Sequence, residues 1–416
     1  MRNLAWLALV AACGGGTTPH APGPIVSSLM PQSGTWGTEV TIDGVHFGGV
    51  PGMSSVVAFD SAVGANGFVV DSWTDTRIKG RIAFPGTGGM YVQTPAGSAD
   101  IGSFTTTMPY QPSMALDVAQ LASSLVLSTG SVAAVYRSYE LAPQATLADF
   151  GASKTYALAG VLDPNDASAP IYAQLVEADD HTPEVIATRT DGTVAVFGTA
   201  GTADTGLSGT VLAAARDATG VYAWIDTTSG LVRARPGTTW TVDRGPITTA
   251  HSPLSGAVAG DGTLWLTVEE PAGAGMGYVS LQTLAPTDTQ LGALERVDPA
   301  AHADPMPQPR VLVASDGIHA LVTAATARLR TAASTWSDAP AMAGLVDYAF
   351  AGTTLTAVVN DASAKTTSFV SDVTMPASAQ VIPVWPMLSQ GFALDAAGKV
   401  HPLIDNGNVT YALTPP

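Results

Sequence analysis

Seven histidines and thirty-four carboxylates are what this 416-residue chain offers for acid–base or metal chemistry. Their spacing decides how much of that chemistry is usable. Asp179-Asp180-His181 sets two carboxylates beside an imidazole, and Asp163-Pro164-Asn165-Asp166 gathers oxygen and nitrogen donors. Either could in principle hold a hard cation, but both fall between candidate strands, where Asp and Asn are ordinary turn formers. The histidines (His20, His46, His181, His251, His302, His319 and His401) show no paired spacing. No G-x-S-x-G, H-E-x-x-H, C-x-x-C, P-loop or calcium-loop pattern occurs. The cluster GAGMG (273–277) has the spacing of part of a dinucleotide loop, yet no helical pattern follows it, so it reads as a hairpin. The expectation is therefore no catalytic residue, no metal ligand and no cofactor.

The single cysteine excludes internal disulfides and thiolate zinc clusters. Its place is informative. Arg2, the apolar run Leu4 to Val10, and Val10-Ala11-Ala12 lead directly to Cys13. Charge, apolar stretch and small residues in that order make an export signal, too short to span a bilayer as a helix. The stretch resembles a bacterial lipoprotein signal, which implies cleavage after residue 12, a lipid on Cys13 and, with Gly14 in place of aspartate, the outer membrane. The alternative is a secretory leader with an incidental cysteine. Residues 13–23, rich in Gly, Thr and Pro, cannot form a core and read as a tether.

The elements behind these residues are strands. Forty-three glycines, twenty-nine prolines and abundant Thr, Ser, Ala and Val favour short strands and tight turns. The formal charge is −17, and no basic run offsets it, so nucleic acid is not an expected partner. From Pro24 the chain reads PIVSSLMPQSGTWGTEVTIDGVHFGG, in which Val40 and Ile42 alternate with Thr41 and Asp43 between glycine-bearing corners. This stretch resembles the opening of IPT/TIG domains, with Pro24, Pro31, Ser33, Gly34, Gly37, Thr38, Val40, Thr41, Ile42, Gly44, Phe47 and Gly48 at matching places and the first isoleucine displaced by one, to Ile25. The resemblance implies an immunoglobulin-like β-sandwich over 24–107. About seven short strand patterns in that span agree.

Residues 108–114 read as a linker, and the remaining 115–416 carry a repeat. VLAAARDATGVYAWID (211–226), GAVAGDGTLWLTV (256–268), VLVASDGIHALVTA (311–324), DYAFAGTTLTAVV (347–359) and GFALDAAGKVHPLID (391–405) each give a small-residue strand, a turn, and a bulkier alternating strand. Looser copies at 124–137 and 157–176 make seven, with a mean step of about 44 residues, the period of a four-stranded propeller blade. The predicted fold is thus all-β: the sandwich followed by a seven-bladed β-propeller, closed by a strand from 114–121. A stack of separate sandwiches is the alternative.

Asp-Gly turns at Asp191, Asp261 and Asp316 invite comparison with sialidase-like propellers, but Ser315-Asp316-Gly317 lacks their S-x-D-x-G-x-x-W spacing. Hairpin geometry alone accounts for such turns. Taken together the sequence points to an exported, lipid-anchored monomer that binds a protein or polysaccharide ligand without catalysis. The competing readings are a glycan-active propeller enzyme and a purely structural spacer.

Overall fold

The computed structural model describes residues 21–35, 37–49, 54–58, 67–82, 87–107, 111–113, 120–138, 144–163, 171–236, 239–303, 309–324, 326–363, 366–382, 388–405 and 410–415. Cys13, the leader, most of the tether, His20 and Pro164-Asn165-Asp166 lie outside them. The chain divides into two units, Met1–Met108 and Pro109–Pro416. Among the described residues there is no α-helix, and no helix long and apolar enough to cross a membrane.

The first unit is built from β1 (Ile25–Met30), β2 (Ser33–Gly34), β3 (Glu39–Val45), β4 (Ser55–Ala58), β5 (Phe68–Trp73), β6 (Arg77–Ile82), β7 (Thr87–Thr94) and β8 (Gly97–Thr106). They form two four-stranded sheets, β1-β3-β6-β5 and β2-β8-β7-β4, which share one core. Alternation sets the layers: Val40, Ile42 and Ile78 point inward from one sheet and meet Val56, Met90, Val92 and Phe104 of the other. Outward-facing Asp43 and Arg77 pair instead at 2.6 Å on the exposed face. Gly44 is dictated by close approach, because a Cβ there would sit 2.2 Å from the Ile25 carbonyl oxygen and 2.4 Å from the Phe47 ring. Gly48 is dictated by its φ of +85°. Trp73 Nε1 donates to the carbonyls of Phe47 and Gly48, both at 3.1 Å, and fixes this corner.

Among its described residues the second unit is a β-propeller of seven four-stranded antiparallel sheets, one of which carries an extra short strand. The inner strands are Gln120–Val126, Ala173–Glu177, Thr210–Asp217, Ser252–Val258, Arg310–Val313, Leu345–Ala351 and Leu388–Leu394, for blades 1 to 7. Each touches the next, and the seventh touches the first, so the ring is closed. Small residues permit this convergence. A Cβ on Gly391 would lie 2.2 Å from Leu121 Cδ2 across the seam between blades 7 and 1. Farther out Tyr222, Trp224 and Trp265 fill the volume between blades.

Two details differ from the sequence reading. The outer strand of blade 7 is β9 (Gln111–Pro112), which pairs with Thr414 and Leu413. The closing strand thus comes from the stretch read as a linker, while Gln120–Val126 is already the inner strand of blade 1. The copy assigned to 157–176 is also misplaced: Ala173–Glu177 is the inner strand of blade 2, and its second strand is Pro183–Thr188. A long connection before blade 2 imitated a turn.

A register shift recurs near the start of the inner strand in five blades, between Leu121 and Ser123, Val211 and Ala213, Pro253 and Ser255, Leu345 and Asp347, and Ser389 and Gly391. Each bulge puts one extra residue into the inner strand and turns its side chain away from the ladder. Ala122, Leu212 and Leu254 are such residues, and all three border the space described next.

Candidate functional site: the axial cavity

The inner strands of blades 1 to 5 enclose a cavity of about 440 Å³ at the propeller axis. That volume lies in the range of small-molecule sites. Its walls are mostly short side chains and backbone, because the strands that converge here are built from Ala, Ser, Gly, Leu and Val. The larger polar groups on the wall are Ser124, Tyr172, Gln174 and Arg310. Among the described residues no carboxylate and no histidine lines it.

Several of these polar groups are committed to holding the ring together. Ser124 Oγ donates to the Phe392 carbonyl at 2.7 Å, linking blade 1 to blade 7. Gln174 Nε2 donates to the Leu212 carbonyl at 3.1 Å, linking blade 2 to blade 3. Arg310 Nη1 donates to both oxygens of Asp347, at 2.7 and 2.9 Å, linking blade 5 to blade 6. Away from the axis the other seams have their own clamps. Arg244 reaches the Ala285 carbonyl at 2.8 Å, Arg330 forks onto Glu295 at 2.9 and 2.8 Å, and Asn360 Nδ2 donates to the Ser389 carbonyl at 2.8 Å.

The remaining seam, between blades 1 and 2, contains a Ser/His/carboxylate grouping that invites a catalytic reading. Ser128 Oγ and Glu177 Oε1 both lie 2.8 Å from His181 Nδ1, and Ser128 Oγ also donates directly to Glu177. A nucleophile relay needs the serine on one ring nitrogen and the carboxylate on the other. Here both meet the same nitrogen, and the carboxylate also accepts from the Ser128 amide at 2.9 Å. Burial pushes Glu177 upward, but the bonds from Ser128 and His181 hold it below its ordinary value. The grouping is a staple between two hairpin turns.

Asp180, Asp191, Asp261 and Asp316 serve as turn residues, and Asp179 pairs across a blade seam. Asp180 accepts from the amide and hydroxyl of Thr182 at 3.1 and 2.6 Å, and Asp179 pairs with Arg216 at 2.9 Å. Asp191 and Asp261 bind the residue two positions on in the same way. Asp316 accepts from the amides of Ile318 and His319 and from the His319 ring; against the upward push of burial, these bonds hold its carboxyl at about 2. GAGMG lies at a hairpin tip, with φ of +86°, +54° and +70° at Gly273, Ala274 and Gly275. Among the described residues no three His, Cys, Asp or Glu side chains converge as a metal site.

Arg310 and Asp347 escaped the sequence reading. Each stands at or beside the head of an inner strand in consecutive repeats, just before VLVASDG and at the start of DYAFAG. A charged residue heading an otherwise apolar strand in neighbouring copies was the available signal.

No family model and no curated protein matches the chain. Among solved structures it is similar to an auxiliary nutrient binding protein from Bacteroides ovatus, at 11% identity over 94% of this chain and 98% of that one, with a TM-score of 0.36. It is also similar to a putative phosphatase from Bacteroides thetaiotaomicron, at 9% identity over 94% and 97%, with a TM-score of 0.47. The β-propeller domain of the trilobed protease from Pyrococcus furiosus matches 72% of this chain and 93% of its own, at 8% identity and a TM-score of 0.40. Likenesses at this level assign neither ligand nor activity.

Proposed function

We propose that this is an exported, lipid-anchored envelope protein that binds a protein or glycan ligand without catalysis, through the axis of its propeller. The observation that carries the reading is the axial cavity, sized for a small ligand group, with hydroxyl, amide and guanidinium groups on its wall and no acid, base or metal-binding set among the described residues. Glycoside hydrolysis needs two carboxyl groups roughly 5–10 Å apart at the reacting bond, and the described wall presents none. That favours binding over the hydrolase alternative.

The first unit is read as an IPT/TIG immunoglobulin-like spacer or adhesive module. Two sheets around one core, with Phe47 fully buried, Gly44 too close to its neighbours for a side chain and Gly48 at a positive φ, support this. The anchor rests on the leader and Cys13 in the sequence, and the −17 charge argues against a nucleic-acid partner.

Arrays of envelope glycans and peptides, probed with the full chain and with an Ala122→Trp variant, test the reading. Ala122 borders the cavity and is exposed, so the indole fills the space without entering a core. Specific binding by the parent chain that the variant loses supports axial recognition. Equal binding by both moves the site elsewhere, and turnover of an array glycan overturns the non-catalytic reading.

A further inference from the structure

The polar groups around the axial cavity divide into those spent on the ring and those left over. Ser124 Oγ and Gln174 Nε2 each donate across a blade seam. Arg310 spends only Nη1, on Asp347; among the described residues its Nε and Nη2 meet no acceptor, and its side chain is 47% exposed. Arg310 opens the inner strand of blade 5, and Tyr172 immediately precedes that of blade 2. In a ring of repeated meanders the inner strands run the same way, so both residues stand at one end of the channel. Blades 2 and 5 lie three steps apart in a ring of seven, so the strands that carry these two lining residues stand on opposite sides of the channel. Two residues farther along the blade 2 strand, Gln174 keeps its Oε1, its amide nitrogen being already used.

This is an unequal set of valences. The strongest donors left over belong to one planar cation, and Asp347 fixes that cation from the side. The Nε–Nη2 edge of a guanidinium matches the two oxygens of a carboxylate, with two parallel hydrogen bonds. Among the described residues no carboxylate or histidine lines the cavity itself, and Asp347, the carboxylate nearest the anion, is engaged on Nη1. The acceptor of Gln174 and the ring of Tyr172 suit a body that carries hydroxyls on a small ring.

Resting on the binding reading above, we infer that the axial mouth recognises an acidic sugar residue. Its carboxylate sits on the Nε–Nη2 edge of Arg310, and its ring lies toward Tyr172 and Gln174. Asp347 is a positioning residue that holds the guanidinium edge toward the channel. The specificity is local and runs against the overall charge of −17, so salt weakens the general repulsion of the anion while leaving the short paired contact largely intact.

Glucuronate and glucuronamide differ only in carboxylate against amide, and calorimetric or NMR titration of each into the full chain tests the inference. Glucuronate should bind about tenfold more tightly or better, the worth of a hydrogen bond to a charged group. Arg310→Gln should bring the two ligands to similar affinity. Because that change also removes a contact between blades 5 and 6, Arg310→Lys serves as the second variant; it keeps a charge for Asp347 but not the fork. It should unfold at the parent temperature and lose most of the preference. Equal binding of the two ligands by the parent chain, or a preference that survives both variants, overturns the acidic-sugar assignment and leaves axial binding standing. Absence of binding by either ligand also overturns it, while the array experiment, which requires no acidic ligand, still decides the binding reading.

Discussion

His401 makes the structure testable by pH alone. It lies in the second strand of blade 7 opposite Ala393, on the sheet face that Ala393 and Leu403 present to Val132, Ala134, Tyr136 and Phe150 of blade 1. It is only 2% exposed, and among the described residues neither ring nitrogen has a hydrogen-bond partner. The nearest charge is Asp395 Oδ2 at 3.6 Å, beyond hydrogen-bond reach. Burial lowers the His401 pKa below its ordinary value, and Asp395 only partly offsets this. With a depressed folded-state pKa, the unfolded chain takes up the proton first as pH falls. Stability is therefore full above about 6.5 and declines between that value and the folded-state pKa, by about 1.4 kcal/mol for each unit of depression. Ordinary carboxylates titrate near 4, but burial raises Glu184 and Asp226 toward the interval from about 7.5 to 5, so the imidazole is read from the difference between parent and variant there. Urea unfolding of the full chain at several pH values in that interval, compared with His401→Leu, is the assay. The leucine variant replaces an unpartnered polar ring by an apolar group, so at pH 7.5 it should lie within about 1 kcal/mol of the parent. It should also lose the part of the parent's decline toward pH 5 that His401 contributes, so that its stability falls less steeply than the parent's. A variant that is much weaker at pH 7.5, or that keeps the full slope, refutes the assignment of a neutral, unpartnered histidine at the closing seam.

Three further outcomes are expected. Gly391→Ala brings a Cβ against Leu121 Cδ2, the movable end of that side chain, and should cost about 1 kcal/mol, the low end of overpacking, in denaturant unfolding; adding Leu121→Ala should cost less than Leu121→Ala costs alone in a Gly391 chain. Glu295→Leu leaves Arg330, which is 7% exposed and stacked 5.0 Å from the Trp265 ring, without its carboxylate. A loss of about 3 kcal/mol is expected, with most of it recovered by Arg330→Met in the same chain. Cys13→Ala should move the protein from the membrane to the soluble fraction of its cell; unchanged fractionation removes the lipid anchor from the account.

Much of the architecture was legible because backbone geometry writes itself into residue type. Val40 and Ile42 alternate with Thr41 and Asp43, and the strand they predict buries the first pair. The small-residue copies mark inner strands because side-chain volume vanishes toward an axis. What failed to show were features with no local period. The two-residue strand Gln111–Pro112 is too short to carry alternation, and it is fixed only by pairing with Leu413 and Thr414 at the far end of the chain. The bulges at Ala122, Leu212 and Leu254 arise from register between strands, which one strand's sequence cannot encode. The same holds at the site. Asp316 and Asp180 were legible as turn formers, since their partners are two or three residues away. Arg310 and Asp347 meet across 37 positions, and Ser124 reaches Phe392 across 268, so only the closed ring brings them together.

The central claim is that ligand enters the propeller axis, and the most direct measurement is to locate a ligand captured on the arrays. In the methyl-labelled full chain, the account predicts that such a ligand shifts the signals of Ala122, Leu212, Leu254 and Val311, which border the axial cavity on blades 1, 3, 4 and 5. Shifts confined to the outer strands, or to the first unit with these four unchanged, would contradict it.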